Sequence, residues 1–269
     1  MVNRLTTAIG KGGVGKTIVS REIAGTFAAG GERTLIIDLD HQASLTESLG
    51  FRDLYERGHH LGQHLTKSPE AGGHSIEELI VSYNEHLDLI PAASGMHGLS
   101  ERLGDQRAWH LRLRRVLEGI EEAYSWILLD TPPAINRVTD AALIYAGNAV
   151  VPVRPQTPSI RGLERLISEQ VQPLREELSE AVEVAAIVPN YVTESSEKDR
   201  IMEALNESFT DKLAPEVRKR VDFSKSYREG QLLREFNPSS DMVGRIEEVT
   251  EFIRQRINEG ETSSEEVQP

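Results

Sequence analysis

Between Gly10 and Thr17 the chain reads Gly-Lys-Gly-Gly-Val-Gly-Lys-Thr, a glycine-rich turn that ends in a lysine and a hydroxyl. Gly12, Gly13 and Gly15 allow consecutive backbone N–H groups to curve around phosphate oxygens without Cβ clashes. The turn follows an apolar run and opens a helical pattern, the context that the GxxxxGK[ST] spacing requires. A helix N-terminus adds partial positive charge to the same place. The chemistry is the binding of nucleotide phosphates. Lys16 is placed to hold the β- and γ-phosphates, and the Thr17 hydroxyl to ligate Mg²⁺. The stretch Gly12, Gly13, Val14, Gly15, Lys16, Thr17 and Ile18 is the expected nucleotide cradle.

Two further segments carry carboxylates. Thr34–Ile37 delivers Asp38-Leu39-Asp40 to the carboxyl edge of a sheet, where open α/β folds place ligands. Period-two alternation points Asp38 and Asp40 to one side. Asp38 is expected to support the water shell of Mg²⁺. Asp40 and Ser44 would also suit a helix N-cap. Trp126–Leu129 is a buried strand tipped by Asp130, which can hold Mg²⁺ through water, and Pro132-Pro133 restrict the loop that follows. Val184–Val188 closes with Pro189-Asn190, a pair that turns favour in any case. His59, His60 and His64 lie in a polar stretch without a carboxylate or cysteine at ligand spacing, so no transition metal is expected.

The elements that must position these residues alternate. Strands are expected at Leu5–Ile9, Thr34–Ile37, Leu87–Ile90, Trp126–Leu129, Ala149–Val153 and Val184–Val188. A helix follows the glycine turn and stops at Gly30-Gly31; others are expected over Arg107–Ala123 and near Ile160–Leu178. Arg52 to Glu85 reads as a loop with one or two short helices. Near-continuous apolar strands between helices predict an α/β, doubly wound, mostly parallel sheet with helices on both faces. Residues 1–258 read as one domain, and 259–269 as an acidic, disordered tail.

Composition narrows the partners. The 269 residues carry 43 acidic and 30 basic side chains, a net charge of −13, which opposes general adhesion to nucleic acid or anionic lipid. Against that background, Lys212 to Arg234 holds seven basic residues and three acidic ones, a local patch of +4. There is no cysteine, which excludes thiolate metal sites and cysteine-ligated iron–sulfur clusters and agrees with a cytoplasmic location. No run approaches the roughly 20 apolar residues that span a bilayer. Met242, Ile246, Val249, Ile253 and Ile257 form one apolar helix face, but Asp241, Glu247, Glu248 and Glu251 share that helix, so it is expected to dock on its own domain rather than on a membrane.

The second lysine of the turn, Lys11 in KGGVGKT, is the mark of the deviant Walker group, and the chain resembles the ParA partition proteins within it. DLDHQASLT from Asp38, LDLIPAA from Leu87, VVPVRPQTPSIRGLERL from Val150 and the segment from Val221 to Pro238 extend the resemblance over nearly the whole chain. It implies a P-loop NTPase fold and an ATP-dependent homodimer in which Lys11 reaches the partner's ATP. It implies that Asp40 positions the attacking water and that Asn190 contacts adenine. It further implies that Arg218, Lys219, Arg220, Lys225 and Arg228 grip DNA without sequence preference, and that a ParB-like adaptor stimulates slow hydrolysis in plasmid or chromosome partition. The chain departs from the pattern at Ile18, where a threonine is usual, at His41, where proline is usual, and at Arg218, near another usual proline. The alternatives are a ParA-like ATPase that positions a non-DNA cargo and a MinD-like ATPase at a membrane.

Overall fold

The computed structural model describes residues 2–66 and 75–265, with side chains described as far as residue 259. Eight strands form one sheet: β1 Asn3–Thr7, β2 Thr34–Asp38, β3 Val81–Ser82, β4 Leu87–Ile90, β5 Trp126–Asp130, β6 Asn148–Val153, β7 Glu183–Val192 and β8 Val217–Arg218. Their order is β3-β4-β2-β5-β1-β6-β7-β8. Every pairing is parallel except β3 with β4. The predicted mostly parallel, doubly wound architecture is the one found.

The central strands are buried throughout, and their alternate residues divide the core between the two faces of the sheet. Ile36 and Leu128 face the helix Lys16–Ala29 and the closing helix Asp241–Glu265, whereas Leu35, Ile37, Ile127 and Leu129 pack beneath the helix Arg137–Ala146. On the first face Phe27 stacks on Trp126 with ring centroids 3.8 Å apart. Arg254 of the closing helix lies over both rings and pairs with Glu32 at 2.6 Å. Parallel register places Asp38 opposite Asp130, and Thr7 opposite Asp130 on the other side. Three strand ends therefore meet at one edge of the sheet.

Several boundaries differ from the sequence expectation. β1 ends at Thr7 rather than Ile9, although Ala8 and Ile9 are buried and the Ala8 N–H still donates to the Val150 carbonyl of β6 at 3.2 Å. The expected helix Arg107–Ala123 is broken into Trp109–Leu111, Arg112–Leu117 and Glu121–Ala123. Ala108 at φ +49° interrupts it at the start, and of its long pattern only Leu113 and Leu117 are buried in the helical piece. β3 and β8 are two-residue edge strands, too short to leave a periodic signal. β7 runs through Pro189-Asn190 to Val192 instead of stopping there. The closing helix continues to Glu265, past the expected start of the tail at residue 259, and residues 266–269 lie outside the described residues.

The closing helix buries Met242, Ile246, Val249, Ile253 and Ile257 against the sheet and the helix Lys16–Ala29. That is the face a membrane-surface helix would need free. Among the described residues no helix is long and apolar enough to cross a membrane. Ile253 is fully buried, so Ile253→Ala is expected to lower the unfolding free energy by about 2–5 kcal/mol in a denaturant titration. A loss below 1 kcal/mol would show that this helix is not part of the core.

Candidate functional site

The glycine turn leaves β1 and enters the helix Lys16–Ala29 through two left-handed glycines, Gly13 at φ +74° and Gly15 at φ +89°. Gly15 also has no room for a side chain: a Cβ there would fall 2.2 Å from Asn190 Nδ2. Asn190 Nδ2 donates to the carbonyl of Val14 at 2.9 Å and so holds the turn from beneath. Above it opens a cavity of about 640 Å³, lined by Gly12, Gly13, Gly15, Lys16, Thr17 and Ile18 of the turn, with Asp40 on one wall. Tyr191, Arg154, Phe223, Tyr227 and Arg228 close its far side.

Asp130 organises the turn from below. Thr17 Oγ1 donates to its Oδ2 at 2.7 Å, and Ser20 Oγ and Thr7 Oγ1 donate to its Oδ1 at 2.9 and 3.1 Å. Because Thr17 spends its proton on Asp130, its lone pairs remain for a cation in the cavity. Burial pushes the Asp130 carboxyl up, opposed first by the Thr17 hydrogen bond. Burial pulls the Lys16 ammonium down, and Asp130 and then Asp40 draw it back. Asp38 is fully buried; its Oδ2 accepts from Thr46 N at 2.9 Å and Thr46 Oγ1 at 2.8 Å, and its Oδ1 from Asp40 N at 3.1 Å. Burial and then the Asp130 charge push it up to about 8. Asp40 lines the cavity itself and accepts from Gln42 N at 3.0 Å.

These groups fit Mg²⁺. All donors are hard oxygens, and the buried carboxylates Asp38 and Asp130 lie in register on adjacent strands beside them. Among the described residues no three His, Cys, Asp or Glu side chains converge tightly enough to hold a metal alone. The arrangement suits an ion shared between Thr17 and a nucleotide, the usual habit of Mg²⁺.

The structure thus brings Lys16, Thr17, Ile18, Asp40 and the three glycines to one cavity, with Asp130 and Asp38 directly beneath. It does not bring every expected residue there. Asn190 is buried under the turn rather than on the cavity wall, because its strand position faces inward; its neighbour Tyr191, at φ +52°, faces the cavity instead. Asp38 does not line the cavity either, being occupied by Thr46 and the Asp40 backbone. Lys11 lies outside the lining, half-buried, with its Nζ donating to Ser159 Oγ at 3.2 Å. The five expected DNA contacts differ in how far their charges are committed. Arg228 lines the nucleotide cavity, Arg220 pairs with Asp241 at 2.6 Å, and Arg218 leans on Glu216 at 3.4 Å. Lys219 and Lys225 are exposed, with no ion pair among the described residues.

A model of an AAA domain family matches residues 4–184, which include the turn, both aspartate strands and β6. The chain belongs to that family. It is a ParA-type P-loop ATPase. It is 29% identical over 212 residues to the chromosome partitioning protein ParA of Caulobacter vibrioides, covering 78% of this chain and 77% of that one. It is 36% identical over 161 residues to a ParA family protein of Chlamydia muridarum, a match that spans 58% of this ATPase and 60% of the relative's length. In fold it is similar to apo McdA of Cyanothece, with a TM-score of 0.81 at 20% identity over 96% of this chain and 100% of that one. It also shares the fold of a cobyrinic acid a,c-diamide synthase from Mycobacterium smegmatis solved with ADP and magnesium, with a TM-score of 0.72 at 22% identity over 89% and 97% of the two chains.

The sequence reading of this ATPase missed Ser20, Thr7, Tyr191 and Arg154. Small hydroxyls carry no spacing signal of their own, and Tyr191 gains its place only through a left-handed backbone that side-chain pattern does not reveal. A charged hydrogen bond such as that of Lys16 to phosphate contributes about 1.5–3 kcal/mol. Lys16→Ala is therefore expected to weaken Mg-ATP binding about 10–100-fold, read by calorimetry. Unchanged affinity would remove the turn from the binding site.

Proposed function

We propose that this protein is a Mg-ATP-dependent dimerising switch that binds DNA non-specifically in its ATP state and drives DNA partition with a ParB-like partner. The observation that carries the proposal is the division of labour between the two lysines of the turn. Lys16 is buried against its own cavity, whereas Lys11 is excluded from that cavity and rests on the neighbouring helix Thr157–Leu166. A lysine on a phosphate loop that does not serve its own phosphates is suited to serving those of a second copy.

In the proposed cycle the turn's N–H groups and Lys16 hold the triphosphate. Thr17 would hold Mg²⁺, with Asp130 behind it acting through water, and the ion would supply positive charge to the phosphates. Asp40 is the carboxylate on the open wall, so it orients water toward the γ-phosphorus. As the water oxygen attacks, the bond between the γ-phosphorus and the β,γ-bridging oxygen breaks. ADP and inorganic phosphate leave, and Lys11 of the partner subunit offsets the charge that develops. The cavity's far wall of Tyr191, Phe223 and Tyr227 offers apolar surface for a base. Bound nucleotide and magnesium in the cobyrinic acid synthase of the same fold support this ligand pair.

The DNA step rests on charge. Lys219 and Lys225 are exposed and have no ion pair among the described residues, and dimerisation doubles every such cation along one nucleic-acid backbone. Counterion release then makes affinity fall steeply with salt. The burial of the closing helix's apolar face disfavours the membrane alternative.

A DNA-shift titration with Mg-ATP against Mg-ADP, at low and high salt, tests this reading. Tight, salt-sensitive binding is expected with ATP only. Lys225→Ala is expected to flatten the slope of log affinity against log salt by about 2, because each dimer loses two phosphate contacts. Equal DNA affinity in both nucleotide states, or none in either, would redirect the function toward a non-DNA cargo.

A further inference from the structure

Two charged side chains lie buried in the phosphate-loop helix, one turn after Thr17. Arg21 is 1% exposed and Glu22 is 3% exposed, and neither lines the nucleotide cavity. Arg21 Nε donates to Glu22 Oε1 at 2.9 Å. One terminal nitrogen of Arg21 donates to the carbonyl of Ser48 at 2.9 Å; the other donates to Ser226 Oγ at 3.1 Å and to the carbonyl of Gln231. Both carboxylate oxygens of Glu22 accept from the Leu233 N–H at 3.1 Å. Burial pushes the Glu22 carboxyl up, and Arg21 is the main group opposing that shift.

Such a pair is a poor way to gain stability. Removing two charges from water costs more than their attraction reliably returns, and apolar side chains of similar size would pack as well. What the guanidinium supplies is geometry. Its planar fork fixes several acceptors at once in directions that an ammonium or an alkyl chain cannot reproduce. Here the acceptors come from two other segments. Ser48 ends the helix Ser44–Ser48, which follows Asp40, presents Ser44 to the cavity and holds Asp38 through Thr46. Ser226 belongs to the helix Val221–Arg228, which presents Phe223, Tyr227 and Arg228 to the cavity and Lys225 to solvent. The two segments also touch directly. A Cβ on Gly230 would fall 2.7 Å from the Gly50 Cα, so their backbones meet closely beside the clamp.

We infer that Arg21 is a positioning residue that couples the Asp40–Gly50 segment to the helix Val221–Arg228, so that a γ-phosphate sensed at Asp40 changes the setting of the basic helix. Glu22 fixes the guanidinium and, through Leu233, the far end of the same basic segment. The coupling rests on ATP binding at the turn; only its consequence for DNA rests on the proposed DNA reading.

Amide hydrogen exchange on the full chain tests it, comparing a non-hydrolysable ATP analogue with ADP, each with Mg²⁺. In the wild type the ATP-minus-ADP difference is expected in both 40–50 and 221–236. In Arg21→Lys the difference in 40–50 is expected to persist while that in 221–236 shrinks roughly threefold or more, with ADP affinity within about threefold of wild type. Should Arg21→Lys fail to unfold cooperatively, the charge-neutral double variant Arg21→Met with Glu22→Gln gives the same readout without stranding a buried charge. A wild-type-sized difference in 221–236 in these variants would overturn the inference, and so would a wild type with no difference there. A purely structural role would raise exchange equally in both nucleotide states and leave the difference intact, which also overturns it. Wild-type protein that shows the exchange difference yet binds no DNA would defeat the DNA reading and leave the coupling standing.

Discussion

A single buried carboxylate fixes the geometry on which the rest depends. Asp130 at the tip of β5 takes hydrogen bonds from Thr17 and Ser20 of the phosphate-loop helix and from Thr7 of β1. It thereby ties the glycine turn to two adjacent strands of a rigid parallel sheet. A buried acceptor of this kind is costly when left unpartnered, so its donors are held in place rather than merely permitted. The orientation of Thr17 follows from this anchor, while Asn190 supports the turn separately beneath Val14. The three carboxylates Asp38, Asp40 and Asp130, set against the cations Lys16, Arg154 and Arg228, then suit the site to a divalent ion and a polyphosphate together.

Much of this was legible in the chain. The glycine turn identifies itself because its residue types are dictated by backbone conformation, and Asp38 and Asp130 because each ends a buried strand, with Asp40 two residues past the first. The central strands were legible because burial on both faces demands near-continuous apolar runs. The rest was hidden for physical reasons. β3 and β8 are two residues each, and a period cannot show in two residues. Asn190 looked like a strand end, but the strand continues and turns its amide under the loop. Which cations of the basic patch meet carboxylates was not legible, because Asp241, the partner of Arg220, lies 21 residues away in the chain. Arg21 and Glu22 were concealed most completely, since charged residues in a helix are ordinarily on its solvent side.

The fold and the family account for nucleotide chemistry; they leave open how occupancy of the cavity is sensed elsewhere. The distribution of side chains around the cavity suggests a division. The sheet edge and the turn are held by buried hydrogen bonds and serve as the fixed part. The Asp40–Gly50 segment and the helix Val221–Arg228 are joined to the fixed part through Arg21 and Glu22. Lys11 rests on Ser159 outside its own cavity, and under the proposed function its task lies in a second copy of the chain.

That division of tasks can be tested by mixing two inactive variants, Lys11→Ala and Asp40→Ala, under conditions where sedimentation shows mixed dimers. If Lys11 acts across the interface, one site of each mixed dimer combines an intact Asp40 with an intact Lys11 from the other chain. ATP hydrolysis is then expected to return, at about one quarter of the wild-type rate for random pairing of a symmetric dimer. If no hydrolysis returns although mixed dimers form, Lys11 serves its own subunit or none, and the account fails at its centre.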